Sequence, residues 1–256
     1  MRILLIRKSY IKQILLVVLL VAVSVVYTQG YTPGVVSVLF NNDRRLPIYS
    51  VETDEKKIAI SFDAAYGDQY TPQILDILDQ YNVNTTFFLV GFWIDKYGEV
   101  LEEIHRRGHE IGNHSTTHPQ MSKLTAQEIK KELETTGEKI KAVTGKDPIL
   151  FRPPFGDYNN KVIDIAQQLG YYSIQWDVDS LDWKEFGVEP VVDRVLKRVN
   201  NGSIVLFHNN AKYVSDFLPI ILDRLIKEGY TIVPVSQLII KDNYFIDHTG
   251  RQRSID

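Results

Sequence analysis

The sequence predicts an α/β fold whose parallel sheet closes, or nearly closes, into a barrel. From Lys57 onward, seven short β-branched runs alternate with segments of helical period, a pattern typical of a parallel sheet covered by helices. Polar residues follow five of the seven runs. In a barrel the carboxyl ends of the strands converge on one mouth, where active sites are built, whereas a doubly wound open sheet would spread these residues along an edge. The barrel is therefore favoured.

Each predicted strand is a short apolar run between turn or helix signals. In chain order the strands are IAISF (58–62), TTFFLV (85–90), HEIGNH (109–114), ILF (149–151), YYSIQWDV (171–178), SIVLF (203–207) and YTIVPV (230–235).

Capping signals mark the predicted helices between these strands. Thr71 is the predicted N-cap of the first helix, with Pro72 at its first position. Thr125 and Glu128 have the spacing of a capping box, which opens a long helix that ends before Gly145. The other helices are predicted around 95–107, from about 160 to 169, from about 189 to 200, and from beyond 207 to Gly229.

Residues 1–30 are predicted to be a signal peptide or a membrane anchor. Clustered positive charge precedes an apolar run from Ile14 to Tyr27, which favours an export signal over a buried helix. The run is shorter than the roughly 20 residues of a comfortable membrane span, and the best cleavage site, at residues 22–24, is weak. Cleavage and retention both stay open. Either one predicts a protein that works outside the cytoplasmic membrane, secreted or anchored at the cell wall or spore envelope.

The remaining chain divides into a stalk with a peripheral strand (31–50), a main domain (51–245) and a polar tail (246–256). A chain of 256 residues, 44% of them hydrophobic, can bury one large core. Its net charge of −3 and its lack of Lys/Arg runs argue against nucleic acid as a partner. The absence of cysteine leaves no disulfide framework, and the oligomeric state cannot be read from the sequence.

Three of the six histidines lie at predicted strand ends: His114 and His118 in HSTTHP, and His208 after SIVLF. Two imidazoles four residues apart could ligate a divalent metal. Such pairs are also often unrelated surface residues, and Pro119 prevents a regular helix there. For His208, a structural role is the alternative. Core packing does not call for histidine at these positions, so metal binding or catalysis is favoured.

Arg152 precedes two prolines in FRPPFGDYN, so a stiff backbone could hold its guanidinium against Asp63 and keep that carboxylate ionised. A rigid turn with a surface arginine is the alternative. In WDVDSLDW (176–183), three acids are interleaved with two tryptophans. These acids could be solvated loop residues, or the tryptophans could form walls on which sugar rings stack.

Five motifs in this order resemble the polysaccharide deacetylase family, the NodB-homology domain of carbohydrate esterase family 4. SFDA, HSTTH, RPPF, DSLDW and LFH match the family's motifs in turn, over roughly residues 55–240. SFDAAYG with HSTTHP and the amino-terminal segment most resembles the sporulation-associated, PdaB-type branch. The resemblance implies a distorted (β/α)7 barrel similar to a TIM barrel, in agreement with the seven predicted strands.

The resemblance also implies an acid and a base. Asp63 matches the catalytic base, and Arg152 matches the residue that orients it. His208 matches the general acid, and Asp182 matches the carboxylate that tunes it. Hydrolysing an amide needs a deprotonated base and a protonated acid at one pH, which is why each group needs its own tuning partner.

The metal site implied by the resemblance lacks one ligand in this sequence. His114 and His118 match two ligands of a divalent metal, Zn²⁺ or Co²⁺, but the third ligand is normally the acid that follows the base, and that position is Ala64. Catalytic zinc usually has three protein ligands. Asp63 could move onto the metal, Asp68 or a water could complete the shell, or no metal binds.

The implied reaction removes N-acetyl groups from amino sugars of peptidoglycan or a related cell-wall or spore-cortex polysaccharide. In the same resemblance, the backbone amide of Phe155 donates to the oxyanion, and Trp183 and Leu206 wall the acetyl-methyl pocket. One alternative is an inactive glycan-binding or structural wall protein on the same fold. Another is a glycoside hydrolase that pairs Asp63 with Asp179 or Asp182.

Overall fold

The computed structural model describes residues 12–21 and 44–255. They belong to two units, Met1–Arg44 and Arg45–Asp256. Residues 12–21 are helical. Within the two described ranges, no helix has both the length and the apolar character that crossing a membrane requires. The rest of the predicted signal or anchor segment, and residues 31–43 of the predicted stalk, lie outside the described residues.

The second unit alternates strands with helices as the sequence predicts. Its strands are β1 (Ser50–Val51), β2 (Lys57–Ala64), β3 (Thr86–Leu89), β4 (Glu110–Asn113), β5 (Leu150–Phe151), β6 (Tyr172–Ser173), β7 (Val178–Asp179), β8 (Ile204–His208), β9 (Thr231–Val233), β10 (Tyr244–Ile246) and β11 (Arg251–Ser254). Its helices are α1 (Thr71–Gln80), α2 (Gly91–Lys96), α3 (Gly98–Arg106), α4 (Ala126–Thr144), α5 (Asn160–Gln168), α6 (Val188–Leu196), α7 (Val214–Lys227) and α8 (Val235–Leu238).

The main sheet is parallel and curls into a half-barrel. Its strand order is β6-β5-β4-β3-β2-β8-β7, and β9 also pairs with β2. Among the described residues, the end strands β6 and β7 do not pair with each other, so the barrel is open on this side. Residues 48–50 form bridges to Ile174, beside β6, and to Ser203, beside β8, and so span the opening.

The predicted strand YYSIQWDV is wrong as a single element. It contains β6 and β7, which lie at opposite ends of the sheet order. The Ile174 N–H donates to the Phe151 carbonyl next to β6, whereas the Asp177 N–H donates to the Ile204 carbonyl of β8. The backbone therefore changes its partner strand within four residues, across the opening of the half-barrel.

Strand β2 shows how the two faces of the sheet divide the core. Ile58, Ile60 and Phe62 lie in the cluster between the sheet and the helices, while Ala59 lies in the cluster inside the curl. Because successive side chains of a strand point to opposite faces, Asp63 belongs to the inner face, at the carboxyl end. The sheet thus delivers this acid to the mouth of the half-barrel.

Local signals predicted several helix ends correctly. Thr125 and Glu128 form the capping box of α4, and Gly145 ends that helix with φ 72°. Thr71, the predicted N-cap, is instead the first helical residue of α1, after Tyr70. The helix predicted around 95–107 is two helices, α2 and α3, which meet at Tyr97.

The segment predicted as a polar tail is ordered into a second sheet. Strand β11 pairs with β1 in parallel and with β10 in antiparallel orientation. Gln252 of β11 is fully buried, where its side-chain amide donates to the Ile240 carbonyl at 2.6 Å and accepts from the Ile240 N–H at 2.8 Å. The residues of this strand, RQRS, are all polar or charged, so the pattern of hydrophobic residues did not predict it.

Candidate active site

Asp63 and His208 occupy neighbouring strand ends. In the parallel pair β2–β8, the Cα atom of Asp63 is the register partner of that of His208. Adjacent strands lie about 4.8 Å apart. The two groups expected to act as base and acid are therefore held side by side at one end of the half-barrel, by backbone pairing alone.

His114 and Arg152 reach Asp63 from the ends of β4 and β5, two and three places along the sheet from β2. The Arg152 N–H donates to the Asn113 carbonyl at 3.0 Å, and the His114 N–H donates to the Leu89 carbonyl at 3.0 Å, so both residues continue the sheet ladder. Arg152 Nη1 donates to Asp63 Oδ1 at 2.7 Å. Asp63 Oδ2 lies 3.5 Å from His114 Nε2. One oxygen of Asp63 is thus held by the guanidinium, and the other faces the imidazole.

Aromatic rings hold the fully buried guanidinium of Arg152. Its central carbon lies 4.1 Å from the ring centroid of Phe88 and 5.6 Å from that of Trp176. Its Nη2 donates to the Gln175 carbonyl at 3.2 Å. Trp176 was one of the two tryptophans expected to form a wall for sugar rings, and it packs instead on the arginine that orients Asp63.

Asp182 is committed to His208 through both of its oxygens. Asp182 Oδ1 lies 2.7 Å from His208 Nδ1, and Oδ2 accepts the His208 backbone N–H at 2.8 Å. Oδ1 also accepts the Trp183 N–H at 2.8 Å. This arrangement fixes a proton on Nδ1 and leaves Nε2 of His208 as the nitrogen that can exchange a proton with a ligand.

The two tuning partners shift the protonation of Asp63 and His208 in opposite directions. Burial raises the pKa of Asp63, but the charge of Arg152, helped by His114 and His208, outweighs it and leaves the pKa below its ordinary value. Burial lowers the pKa of His208, but the hydrogen bond and charge of Asp182 outweigh it and leave the pKa raised. Asp63 is therefore held as a carboxylate while His208 tends to keep its proton.

The structure brings His114 and His118 together. Their ring centroids lie 5.0 Å apart. His114 Nδ1 bonds to the Arg152 carbonyl at 2.7 Å, an outer contact of the kind that orients a metal-binding imidazole. Within the described part of the chain, His118 Nδ1 is buried without a hydrogen-bond partner. Burial, followed by the charge of His114, lowers the pKa of His118 to about 4. The ring is therefore neutral at pH 7, the form of imidazole that binds a metal ion.

A complete metal site is not formed by these residues. Across residues 12–21 and 44–255, no group of three or more His, Cys, Asp or Glu side chains is placed to hold an ion. Ala64 lies in the core cluster between the sheet and the helices. The donor set present is one protein ligand short of the three usual for catalytic zinc.

The three residues expected at the acetyl pocket differ in exposure. Phe155 is exposed in a left-handed conformation with φ 59°, strained for a residue with a side chain, and its ring lies 4.5 Å from that of His118. Trp183 is exposed beside Asp182. Leu206 is buried on β8, two residues before His208 and so on the same face of the sheet.

The acidic residues near β7 do not favour a second catalytic carboxylate beside Asp63. Both oxygens of Asp182 are hydrogen-bonded, and its side chain is fully buried. Asp179 Oδ1 accepts the Leu181 N–H at 2.9 Å, closing a local turn. The geometry fits an acid–base pair of Asp63 and His208 better than the two carboxylates of a glycoside hydrolase.

Sequence reasoning missed Asn209, which ties this mouth together. Its N–H donates to the Asp63 carbonyl at 3.2 Å, and its Nδ2 donates to the Gly67 carbonyl at 2.8 Å and to Thr71 Oγ1 at 3.1 Å. The doubled Asn after His208 was the only sequence signal, and it reads equally as a turn.

Comparison with known proteins places these residues in a family. The family model described as polysaccharide deacetylase matches residues 50–174. The peptidoglycan-N-acetylglucosamine deacetylase of Bacillus cereus is 37% identical over 196 residues, which cover 75% of this chain and 92% of that protein. The uncharacterized protein YlxY of Bacillus subtilis is 35% identical over 193 residues, 75% of this chain, and the chain spans only 60% of its length.

A solved structure is similar in fold and sequence. BA3943 of Bacillus anthracis, described as a CE4 family pseudoenzyme, superposes with a TM-score of 0.73 at 33% identity, over 75% of this chain and 68% of that one. Similarity at this level, spread over three quarters of the chain and nearly the whole of the Bacillus cereus deacetylase, goes beyond a shared fold. We conclude that this chain is a member of the polysaccharide deacetylase family.

Proposed function

We propose that the chain hydrolyses N-acetyl groups of amino sugars in peptidoglycan or a related cell-wall or spore-cortex polysaccharide. The observation that carries this proposal is the paired strand ends: Asp63 and His208 are register partners, one held ionised by Arg152 and the other held protonated by Asp182. A module that only binds glycan has no use for two neighbouring groups tuned in opposite directions.

In the proposed reaction, Asp63 Oδ2 accepts a proton from water, and the resulting hydroxide adds to the acetamide carbonyl carbon. The tetrahedral intermediate expels the amine nitrogen, which takes a proton from His208 Nε2. The products are acetate and a free amino sugar. By resemblance to the family, the backbone amide of Phe155 donates to the oxyanion, and Trp183 and Leu206 enclose the acetyl methyl group.

Charge balance supports this order of proton transfers. Arg152 keeps Asp63 ionised before the attack. Once Asp63 Oδ2 holds the water proton, the buried pair carries the positive charge of Arg152, and the negative charge of the tetrahedral intermediate offsets it. Asp182 stabilises the imidazolium form of His208 until the amine leaves. Each partner thus acts through the group it touches, and Arg152 and Asp182 are positioning residues.

Peptidoglycan as the substrate is supported by the relative named for that activity. Such a polymer lies outside the cytoplasmic membrane, in accord with an amino-terminal segment that directs export, whether it is cleaved or stays as an anchor. The sporulation-associated branch of the family would place the substrate in the spore envelope. The SFDAAYG variant of the first motif supports that assignment.

A second candidate function is glycan binding without catalysis. It is favoured by Ala64 and by the lack of a three-ligand cluster around His114 and His118 in the described residues. In this family a divalent metal such as Zn²⁺ or Co²⁺ would supply Lewis-acid activation of the carbonyl. If the incomplete donor set leaves the site without metal, the acid and base have to work alone, and turnover would be slow.

Acetate release from the full chain decides between these functions. Purified protein is incubated with peptidoglycan sacculi and with β-1,4-linked N-acetylglucosamine tetramer, in EDTA and with added Zn²⁺ or Co²⁺. We expect acetate release that His208→Ala abolishes and that His248→Ala, a matched change at an exposed histidine of the β10–β11 turn, leaves intact. Glycan binding without acetate under every metal condition would support the second function.

A further inference from the structure

Two exposed aromatic rings stand beside the candidate active site. The ring centroids of Tyr66 and Phe92 lie 5.8 Å apart, and these residues are 61% and 38% exposed. The ring centroid of Tyr66 lies 6.0 Å from that of His118, edge to face, and the centroid of Phe155 lies 4.5 Å from that of His118, also edge to face. A continuous row of rings therefore runs from Phe92 past Tyr66 and His118 to Phe155.

The loop that carries Tyr66 is fixed from beneath. Gly67 has φ 63°, and its carbonyl accepts Trp93 Nε1 at 2.7 Å and Asn209 Nδ2 at 2.8 Å. Both donor side chains are buried. Two hydrogen bonds from the protein interior to one carbonyl hold the residue next to Tyr66, so the exposed ring sits on a rigid support rather than on a mobile loop tip.

Phe92 is tied to the segment that carries the histidines. The Gly91 N–H donates to the Ser115 carbonyl at 2.9 Å, and the Phe92 N–H donates to the Thr116 carbonyl at 3.2 Å. A Cβ atom on Gly91 would lie 2.9 Å from Thr116 Cα, so only glycine permits this close approach. Tyr66, Phe92 and His118 are thus held in one frame although they lie on three separate segments.

Rigid, solvent-exposed aromatic rings beside a site are typical of surfaces that take up a ligand, because they offer a large apolar area with little conformational entropy to lose. The apolar C–H face of a pyranose ring matches such a surface. Within this row, the ring centroid of His118 lies 5.0 Å from that of His114, and His114 Nε2 lies 3.5 Å from Asp63 Oδ2. Tyr66 and Phe92 are further from Asp63 along this chain of contacts. They are therefore placed for a sugar next to the one being deacetylated.

We propose that Tyr66 and Phe92 form a stacking platform for the neighbouring sugar ring of the same glycan strand, so that the protein selects a polymer over a single amino sugar. This inference rests on the proposed function, since it takes the acetamide of the adjoining sugar to lie between Asp63 and His208. The occupant is a hexosamine ring of the glycan, and the platform adds affinity only to oligomers.

The test measures binding rather than turnover. The affinity of the full chain for N-acetylglucosamine and its β-1,4-linked dimer, trimer and tetramer is determined by NMR titration in EDTA. Acetate is followed in parallel spectra without EDTA, with added Zn²⁺ or Co²⁺. We expect wild-type affinity to rise with oligomer length. Tyr66→Ala should weaken tetramer binding by roughly tenfold, the cost typical of losing an aromatic anchor, and leave the monomer unchanged.

Matched variants separate the platform from general damage. Tyr66→Phe keeps the ring and should bind like wild type, and Phe92→Ala should repeat the loss from a second element. Phe245→Ala removes a ring of comparable exposure, 49%, on β10 of the other sheet and should change nothing. Circular dichroism checks that each variant is folded.

The outcomes distinguish this inference from the proposed function. Length-dependent binding that Tyr66→Ala removes, without any acetate, upholds the platform and counts against deacetylation. Acetate release with equal tetramer binding by wild type, Tyr66→Ala and Phe92→Ala overturns the platform alone. Wild-type affinity that does not rise with length, or no binding of any oligomer, also overturns it.

Discussion

Restoring an acid at position 64 should convert the paired histidines into a metal site. Ala64 is 1% exposed and lies in the core cluster between the sheet and the helices. Ala64→Asp puts a carboxylate next to Asp63 in a buried setting. Without a counter-charge, a buried ion costs about 3–5 kcal/mol, or the new acid takes up a proton instead. We therefore expect the metal-free variant to be less stable than wild type by about 3 kcal/mol.

Zinc should recover most of that loss in the variant. Ala64 is the last residue of β2, and by resemblance to the family it stands at the third-ligand position. On that basis His114, His118 and the new acid would make up the three protein ligands usual for catalytic zinc. A ligand that binds only the folded state stabilises it by about 2.7 kcal/mol at 100 times its dissociation constant. With two imidazoles alone, wild type should gain much less from the same zinc concentration.

Urea unfolding in EDTA and in a ZnCl₂ series, with bound metal counted by mass spectrometry, measures both effects. Ala65→Asp is the matched control, because it adds the same charge at the next, partly exposed residue. Equal zinc-dependent stabilisation of wild type and Ala64→Asp would refute the reasoning. A zinc effect of the same size in Ala65→Asp would show that added charge alone attracts the metal.

Three further outcomes follow from the buried charges. Asp182→Asn should lower the pKa of His208, because the bond and charge that outweigh burial are lost, and NMR titration of the ring measures the shift. Arg152→Met should cost about 3–5 kcal/mol by stranding Asp63, and Asp63→Asn in the same chain should recover part of it in urea unfolding. His109 is buried with its pKa lowered by burial to about 4, so the unfolded chain binds its proton first as pH falls from 6.5 towards 4. This group should contribute about 2 kcal/mol to the loss of stability between pH 7 and 5, and His109→Gln should make the loss over that range smaller by about that amount.

The parallel sheet could be predicted from the sequence because each strand is a short apolar run and each helix has its own end signals. Thr125, Glu128 and Gly145 predict the bounds of α4 because capping is a local interaction. The prediction of a single strand at 171–178 was wrong because the choice of partner strand is not a local property. Ile174 bonds to β5 and Asp177 bonds to β8, and no residue type in this stretch signals the change of partner.

The same distinction explains the site. Strand-end positions of Asp63, His114, Arg152 and His208 could be read from the chain, and the parallel register brings them to one mouth. The surroundings of Arg152 could not be predicted from the sequence. Phe88 lies on β3 and Trp176 lies between β6 and β7, far apart along the chain, and both meet Arg152 only through the curl of the sheet.

The backbone pairing of β2 with β8 sets the spacing of Asp63 and His208, the proposed base and acid, before any ligand arrives. Loop motion is not needed to draw the two groups together, so the free energy of binding can go wholly into orienting the proposed acetamide substrate. Substrate preference can then change through the loops around the mouth, such as 65–70 and 114–119, while the pair of Asp63 and His208 keeps its geometry. A one-residue change of register between these two strands, in contrast, would turn Asp63 or His208 to the helix-facing side and abolish the proposed acid–base pair.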